Sequence, residues 1–483
     1  MKRFVFRASM IALVLVLALS VAVSAAPFQA ATTKTLSTNY TLVNMGTQTA
    51  SVVVQYLKED GTAWAASADS TTFDIPGNFG QKIVAQYFDS TMTPGKGSAV
   101  VQSNQPLGAV VQILARNQTP TSGAYSGFTS GSSKLVVPLV LKNRSTASGL
   151  TNSQIIIQNV EQTAITVSID FVPQSGYTAY TKSGITIQPG SSYYWDATDE
   201  AGLANGWGGS AIINVADTKK AVAVSNLFSG ANSVQTFSAF PQEAATTGWV
   251  IPLFTSRLTN GLSTPVAIQN VSGVEIAAGG ITMECTSTIS TPATINLTST
   301  AALPDGAAYY FNPVSDTTIP ANWSGACRLT ASQNVVVFVQ MRRPGVSDET
   351  GAYEAFPASS TNTKVVIPLM SKRQANGFAT VATIQNLDTV NAANVKLTYT
   401  PSPSYTGSST PIVLHKTIPA GGNLIQNLRF NDVPEIPNGW FGTLVVEADD
   451  AQPARPLVGF VQLTNYLGAA GDTFMAHDAF TLP

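Results

Sequence analysis

Apolar and polar residues alternate along short stretches of this chain. Val52, Val54 and Tyr56 alternate with Val53, Gln55 and Leu57. Ile165, Val167, Ile169 and Phe171 repeat the pattern, as do Ile281, Met283 and Cys285, and then Val395, Leu397 and Tyr399. A period of two marks a strand with one buried face. Each alternating stretch is followed by a turn: Pro76-Gly77, Pro189-Gly190, Pro304-Asp305-Gly306 and Pro419-Ala420-Gly421. Proline fixes φ there and glycine permits the positive φ that such turns use. Beyond each turn lies an almost wholly apolar strand, at residues 107–113, 221–224, 335–339 and 457–461. Beyond the first 25 residues, helical periodicity is confined to one short turn near residues 199–204. The pattern predicts an all-β protein.

The pattern is also written four times. Ile157-Gln158-Asn159, Ile268-Gln269-Asn270 and Ile384-Gln385-Asn386 match one another, and Leu42-Val43-Asn44 is a weaker version. Their spacing defines a unit of about 115 residues. The expected organisation is a leader at 1–25 and repeats at 26–134, 135–248, 249–363 and 364–483. A unit of about seven short strands suits an immunoglobulin-like sandwich of two antiparallel sheets, and its length suffices for its own core. The repeats abut with no Gly/Ser-rich spacer, so the reading is four tandem immunoglobulin-like β-sandwiches in an articulated rod rather than a closed ring.

Three repeats open on a shared segment that ends in Pro138, Pro252 or Pro368. Proline is tolerated at a strand edge, where its missing N–H is not needed. These segments are expected to stiffen the joints and start the next edge strand. Repeat one has only Pro27-Phe28 in that place. Its first strand is therefore expected to be poorly formed or supplied from elsewhere, and strand addition at an open edge would allow self-assembly.

Charged residues are only 11% of the 483, against about 25% in ordinary soluble proteins. Thr, Ser, Asn and Gln carry the polarity instead, and no basic footprint for nucleic acid exists. Lys2, Arg3 and Arg7 precede an uncharged apolar run, and Val23-Ser24-Ala25 offers the small-residue pattern of leader cleavage. The alternative is an uncleaved anchor. After cleavage no integral membrane span is expected, and the net charge, −2 for the whole chain, becomes more negative. The implied place is secreted or at the cell surface, with retention by non-covalent attachment or assembly.

The run Ile157, Asn159, Val167, Ile169, Phe171, Pro189 and Gly190 resembles the cell-adhesion-related (CARDB-type) and allied immunoglobulin-like repeats of bacterial secreted and surface proteins. That resemblance covers all four repeats. It implies a β-sandwich outside the cytoplasm with a structural or binding role and no catalysis.

Several residues could carry chemistry. Asn44, Asn159, Asn270 and Asn386 suit Asx-type turns. Trp207, Trp323 and Trp440 share one position, where repeat one has Gly95, and are expected to pack over the end of each sandwich. Tyr193-Tyr194-Trp195 and Tyr309-Tyr310 are the candidates for contact with a carbohydrate or protein, because alternation turns at least one ring of each cluster outward. Cys285 and Cys327, the only cysteines, both fall on predicted core positions and are expected to form a cross-sheet disulfide in an exported chain. Two cysteines without a nearby histidine make no zinc site. His415 and His477 lie in no nucleophile context, and no Gly-x-Ser-x-Gly elbow occurs. Asp89, Asp196, Asp316 and Asp432 recur before the tryptophan element; with Asp199 and Glu200 they could be considered for calcium, but capping is their default use. No cofactor, metal or catalytic residue is assigned.

The expected role is therefore non-catalytic, structural or adhesive, at a bacterial cell surface or extracellular matrix. Its partners would be an envelope protein or polysaccharide, or further copies joined through edge strands. The rival readings are a carbohydrate-binding protein using the Tyr/Trp clusters, and an accessory protein that docks on a secreted enzyme.

Overall fold

A computed structural model of the chain describes residues 23–25, 36–115, 119–146, 149–347, 349–430, 432–468 and 471–483. The chain is nearly all β, in several antiparallel sheets. Among the described residues, helix is limited to single turns such as Ala68–Thr71 and Ala197–Asp199. In repeat one, Leu36–Asn44, Gln81–Ala85, Leu107–Ala115 and Ser122–Ser126 form one sheet; Ala50–Lys58, Thr72–Ile75 and Gly97–Ser103 belong to a second. Repeats two and four also have two sheets each. In repeat three both are joined into one eight-stranded sheet, because Trp323–Arg342 continues from one into the other.

The alternating strands bury one face. Val52, Val54 and Tyr56 are buried while Val53 and Gln55 are exposed. Their inward residues meet apolar residues of the facing sheet. In repeat four, Val395, Leu397, Tyr399, Leu444 and Val446 pack with Ala382, Ile384, Leu457, Val461 and Leu463. Gly97, Gly209, Gly325 and Gly442 occupy one position in this scheme. A Cβ there would fall 1.9–2.1 Å from the carbonyl oxygens of Leu57, Val172, Thr286 and Thr400, so only glycine allows the strands to close.

The proline segments form strands Lys134–Leu141, Thr246–Ser256 and Lys364–Ser371. Each has a β-bulge at its proline: the register slips between Val137 and Val140, between Ile251 and Phe254, and between Ile367 and Met370. A bulge leaves one residue outside the ladder, which accommodates a residue without an N–H.

The articulated rod does not form. The strands that follow the apolar strand in each repeat, Ser122–Ser126, Ser233–Ser238, Thr350–Glu354 and Met475–Asp478, pack against one another in a closed circuit: first on second, second on third, third on fourth, and fourth on first. The repeats therefore make a ring. The apolar clusters ignore the seams. The interior of repeat one takes in Ile156, Val224, Phe228 and Val234 of repeat two, and the interiors of repeats two and three are continuous. Phe237 stacks on Phe338 at 4.2 Å and Tyr353 on Phe460 at 3.9 Å, each across a joint. Each such pair contributes about 0.5–1.5 kcal/mol beyond its area. Leu57, on the face that alternation assigns to water, is buried because Gly190 of repeat two lies against it.

Residues 1–22, most of the expected leader, and Pro27-Phe28 lie outside the described residues. Val23–Ala25, the expected cleavage tripeptide, pairs antiparallel with Gly97–Ser103, Ala25 opposite Ala99. That is the side on which Lys134–Leu141 pairs in repeat two, Val137 opposite Ala211. A chain starting at Ala26 lacks this strand. Hydrogen exchange at Ala99–Val101 is expected to be faster in it than in the full chain; equal protection in both would show that another segment covers the edge.

Candidate functional site

The repeat motif acts as a tie. Asn44, Asn159, Asn270 and Asn386 are fully buried. Each Oδ1 accepts the backbone N–H two residues on, from Gly46, Glu161, Ser272 or Asp388, at 2.8–3.1 Å. Each Nδ2 donates across the turn to Gln48, Thr163, Val274 or Asn391 at 2.7–2.9 Å. It also donates to Ile75, Ile187, Leu303 or Ile418, one or two residues before the turn proline, at 3.0–3.4 Å. The preceding glutamines Gln158 and Gln269 donate to the carbonyls of Gly190 and Gly306. Those same two carbonyls accept Ser98 Oγ (2.6 Å) and Ser210 Oγ (2.5 Å) from the preceding repeat. The motif thus fixes a turn that its neighbour grips.

The bulged prolines supply the second half of each joint. The carbonyl of Pro138 accepts Tyr310 Oη at 3.1 Å, and that of Pro252 accepts Asn423 Nδ2 at 2.6 Å. Pro368 accepts Gln81 Nε2, which closes repeat four onto repeat one. Between repeats one and two, Gly97 accepts Tyr194 Oη at 2.7 Å.

These bonds correct the expectation for the tyrosine clusters. Tyr194 and Tyr310 are spent inside joints, and burial pushes both hydroxyls well above the usual phenol range. Trp195 is buried and donates to Glu200 at 3.0 Å, while Glu200 pairs with Lys182 at 2.9 Å. Tyr193 is half-buried, and Tyr309 is half-buried with Thr300 donating to its hydroxyl. Tyr193, Tyr309 and Tyr310 pack against the apolar cluster shared by repeats two and three.

Trp207, Trp323 and Trp440 are buried; the first two donate to Thr178 and Pro292 carbonyls. In repeat one, Trp64 lies against both Gly95 and Gly97 and donates to Thr93 at 3.0 Å. It comes from an earlier segment, so alignment by position missed it. Cys285 and Cys327 are bonded. They stand directly opposite on adjacent strands of one sheet, not across two sheets as expected. The bond closes a separation of 42 residues. Replacing both with Ser should lower unfolding free energy by roughly 3–4 kcal/mol, measured by urea denaturation; a loss below about 1 kcal/mol would place the stability elsewhere.

The recurring aspartates cap turns. Asp196 and Asp316 each accept the N–H and hydroxyl of the threonine two residues on, and Asp89 accepts Ser67 and Thr91 N–H groups. Among the described residues no group of three or more His, Cys, Asp or Glu is placed to hold a metal. His415 is exposed, 2.8 Å from Asp449.

Asp472 was not singled out by the sequence. It is fully buried at the centre of the circuit. Its carboxyl accepts Val234 N–H of repeat two at 3.0 Å, Thr350 N–H (3.1 Å) and Oγ1 (3.0 Å) of repeat three, and Phe474 N–H at 3.2 Å. Its backbone carbonyl accepts Ser122 Oγ of repeat one. One residue therefore touches all four repeats. Burial raises its carboxyl well above the usual range despite these donors. Further along, Glu354 accepts Ser238 N–H at 2.8 Å, Asp478 accepts Glu354 N–H at 3.2 Å, and Ser126 Oγ donates to the Asp478 carbonyl. A signal for these residues exists. Ser126-Gly127-Phe128, Ser238-Ala239-Phe240, Glu354-Ala355-Phe356 and Asp478-Ala479-Phe480 end the four repeats. Carboxylates replace serine at one position in the last two.

Among the described residues, clefts large enough for a small molecule open at the joint of repeats two and three and at that of repeats four and one. One of about 340 Å³ lies between repeats two and three and is lined by Arg144 and Arg342 among hydroxyl and amide side chains. One of about 850 Å³ lies between repeats four and one and is lined by aromatic and amide side chains.

No family model and no curated protein matches this chain. Among solved structures, the crystal structure of a tetra-tandem repeat in the extending region of a large adhesion protein aligns with it at 11% identity, covering 96% of this chain and 99% of that one, with a TM-score of 0.11. A likeness at that score carries no argument about fold or role.

Proposed function

We propose that this chain is an exported, non-catalytic protein with a structural or adhesive role at a bacterial cell surface or extracellular matrix, built from four immunoglobulin-like sandwiches closed into a ring. The observation that carries this reading is the repeated joint. Every seam is made by a carbonyl of one repeat accepting a side chain of the next, beside a shared apolar cluster. Such seams hold the units at fixed angles, whereas a flexible linker would let them swing. Rigidity of this kind suits a spacer or a platform that presents loops to a partner.

Protease treatment of intact cells followed by detection of the protein tests the reading. The expected result is loss of the protein from intact cells without lysis of cytoplasmic markers. Persistence in a protease-resistant cytoplasmic pool would overturn it. Saccharide binding, the second reading, is favoured by the larger cleft.

A further inference from the structure

We infer that the cleft between repeats four and one binds a neutral oligosaccharide. Its volume of about 850 Å³ falls in the range of roughly 300–1,000 Å³ typical of small-molecule sites. Its lining includes Tyr87, Phe88, Phe378 and Phe441, and no Asp, Glu, Lys, Arg or His is among the described residues that line it. Sugar rings present apolar C–H faces and a rim of hydroxyls. Aromatic rings meet the first, and side-chain amides, donors and acceptors at once, meet the second.

Asn39 lies in this wall with 8% of its surface exposed, and its Oδ1 has no hydrogen-bond partner among the described residues. A buried acceptor without a donor is costly, and a hydroxyl entering the cleft would supply one. Asn376, at the rim, is exposed.

The other cleft provides an internal contrast. Strand pairing places Leu114 of repeat one where repeat three has Arg342, and Ile83 where repeat three has Tyr310. The same place in the ring is cationic at one joint and uncharged at another. Without a fixed cation, the larger cleft gives a carboxylated or sulfated sugar nothing to offset the loss of its water. This selects the neutral class. The site goes beyond the structural role, which a ring could serve with the cleft empty.

The test is a glycan array of neutral and acidic oligosaccharides probed with the full chain, followed by titration calorimetry on the hits. At least one neutral oligosaccharide is expected to bind. Phe88→Ala should weaken it about tenfold, the scale of one lost stacking contact. Phe88 is 73% exposed, so this variant should keep its fold, as circular dichroism would verify. Asn376→Ala is a second probe of the rim, expected to weaken binding by a smaller factor. Arg342→Gln should leave neutral binding unchanged. The inference is overturned if no neutral saccharide binds, if both rim variants bind as tightly as the parent, or if only acidic saccharides bind and Arg342→Gln abolishes that. Each of these outcomes leaves the protease result on intact cells standing by itself.

Discussion

Asp472→Ala is expected to lower unfolding free energy by about 4 kcal/mol, from loss of acceptors for buried N–H groups that cost roughly 1–3 kcal/mol each when orphaned. The side chain reaches Val234, Thr350 and Phe474, so three backbone donors and the Thr350 hydroxyl lose their partner together. The loss should appear first at the joints. Hydrogen exchange in Ser233–Ser238 and Thr350–Glu354 is expected to speed up more than in the alternating strands. Asp472→Asn keeps the shape and one acceptor oxygen, and should cost less than half as much. Urea unfolding followed through tryptophan fluorescence gives both numbers. An alanine variant within about 1 kcal/mol of the parent would show that the circuit does not depend on this carboxyl.

The second large effect is on pH. Burial lowers the His477 imidazole to about 4, against a smaller opposing effect of the Asp478 carbonyl it contacts. A depressed value means that the neutral ring fits the folded chain better than the charged one. The stabilisation is complete above the ordinary histidine value near 6.5 and is lost as pH falls toward 4. The whole difference is about 3 kcal/mol. Tyr125, Phe237 and Tyr353 occupy the corresponding position in the other repeats. His477→Phe should therefore flatten the acid limb of stability between pH 6.5 and 4.

Asp478 works in the opposite sense. Burial, then the nearby Glu354 carboxylate, push it well above the usual carboxylate range. Its protonated form fits the fold, so its contribution is present in acid and lost as pH rises through the raised value. Asp472, raised by burial, adds to the same limb. Asp478→Ser, the residue of repeats one and two, should reduce the loss of stability that this carboxyl causes as pH rises above the ordinary carboxylate range. An unchanged profile in both variants would locate the titration outside the ring centre.

Part of this was legible because its cause is local. Alternation at Val52–Val54–Tyr56 needs only the pleat, and the Asn159 turn needs only a side chain two residues from the N–H it accepts. The disulfide partners were legible too, but not their placement. Cys285 and Cys327 share core register, and whether that means facing sheets or adjacent strands depends on pairing. The tyrosine clusters misled for a related reason. Alternation says that Tyr194 and Tyr310 point away from their own sandwich, yet not whether water or another repeat lies there.

By itself, then, the order of residues determined the β class, the fourfold repetition and the inner face of each strand, because these follow from backbone geometry and the removal of apolar side chains from water. Only the tertiary structure decided that strands such as Ser233–Ser238 and Leu457–Asn465 are covered on their outer faces too. Ring closure joins Gln81 to Pro368, and Asp472 to Val234 and Ser122. Those partners are far apart along the chain, and nothing in either sequence neighbourhood encodes the angle at which one repeat meets the next. That angle comes from the sum of many seam contacts, and it places the two clefts and buries the carboxyls at the centre.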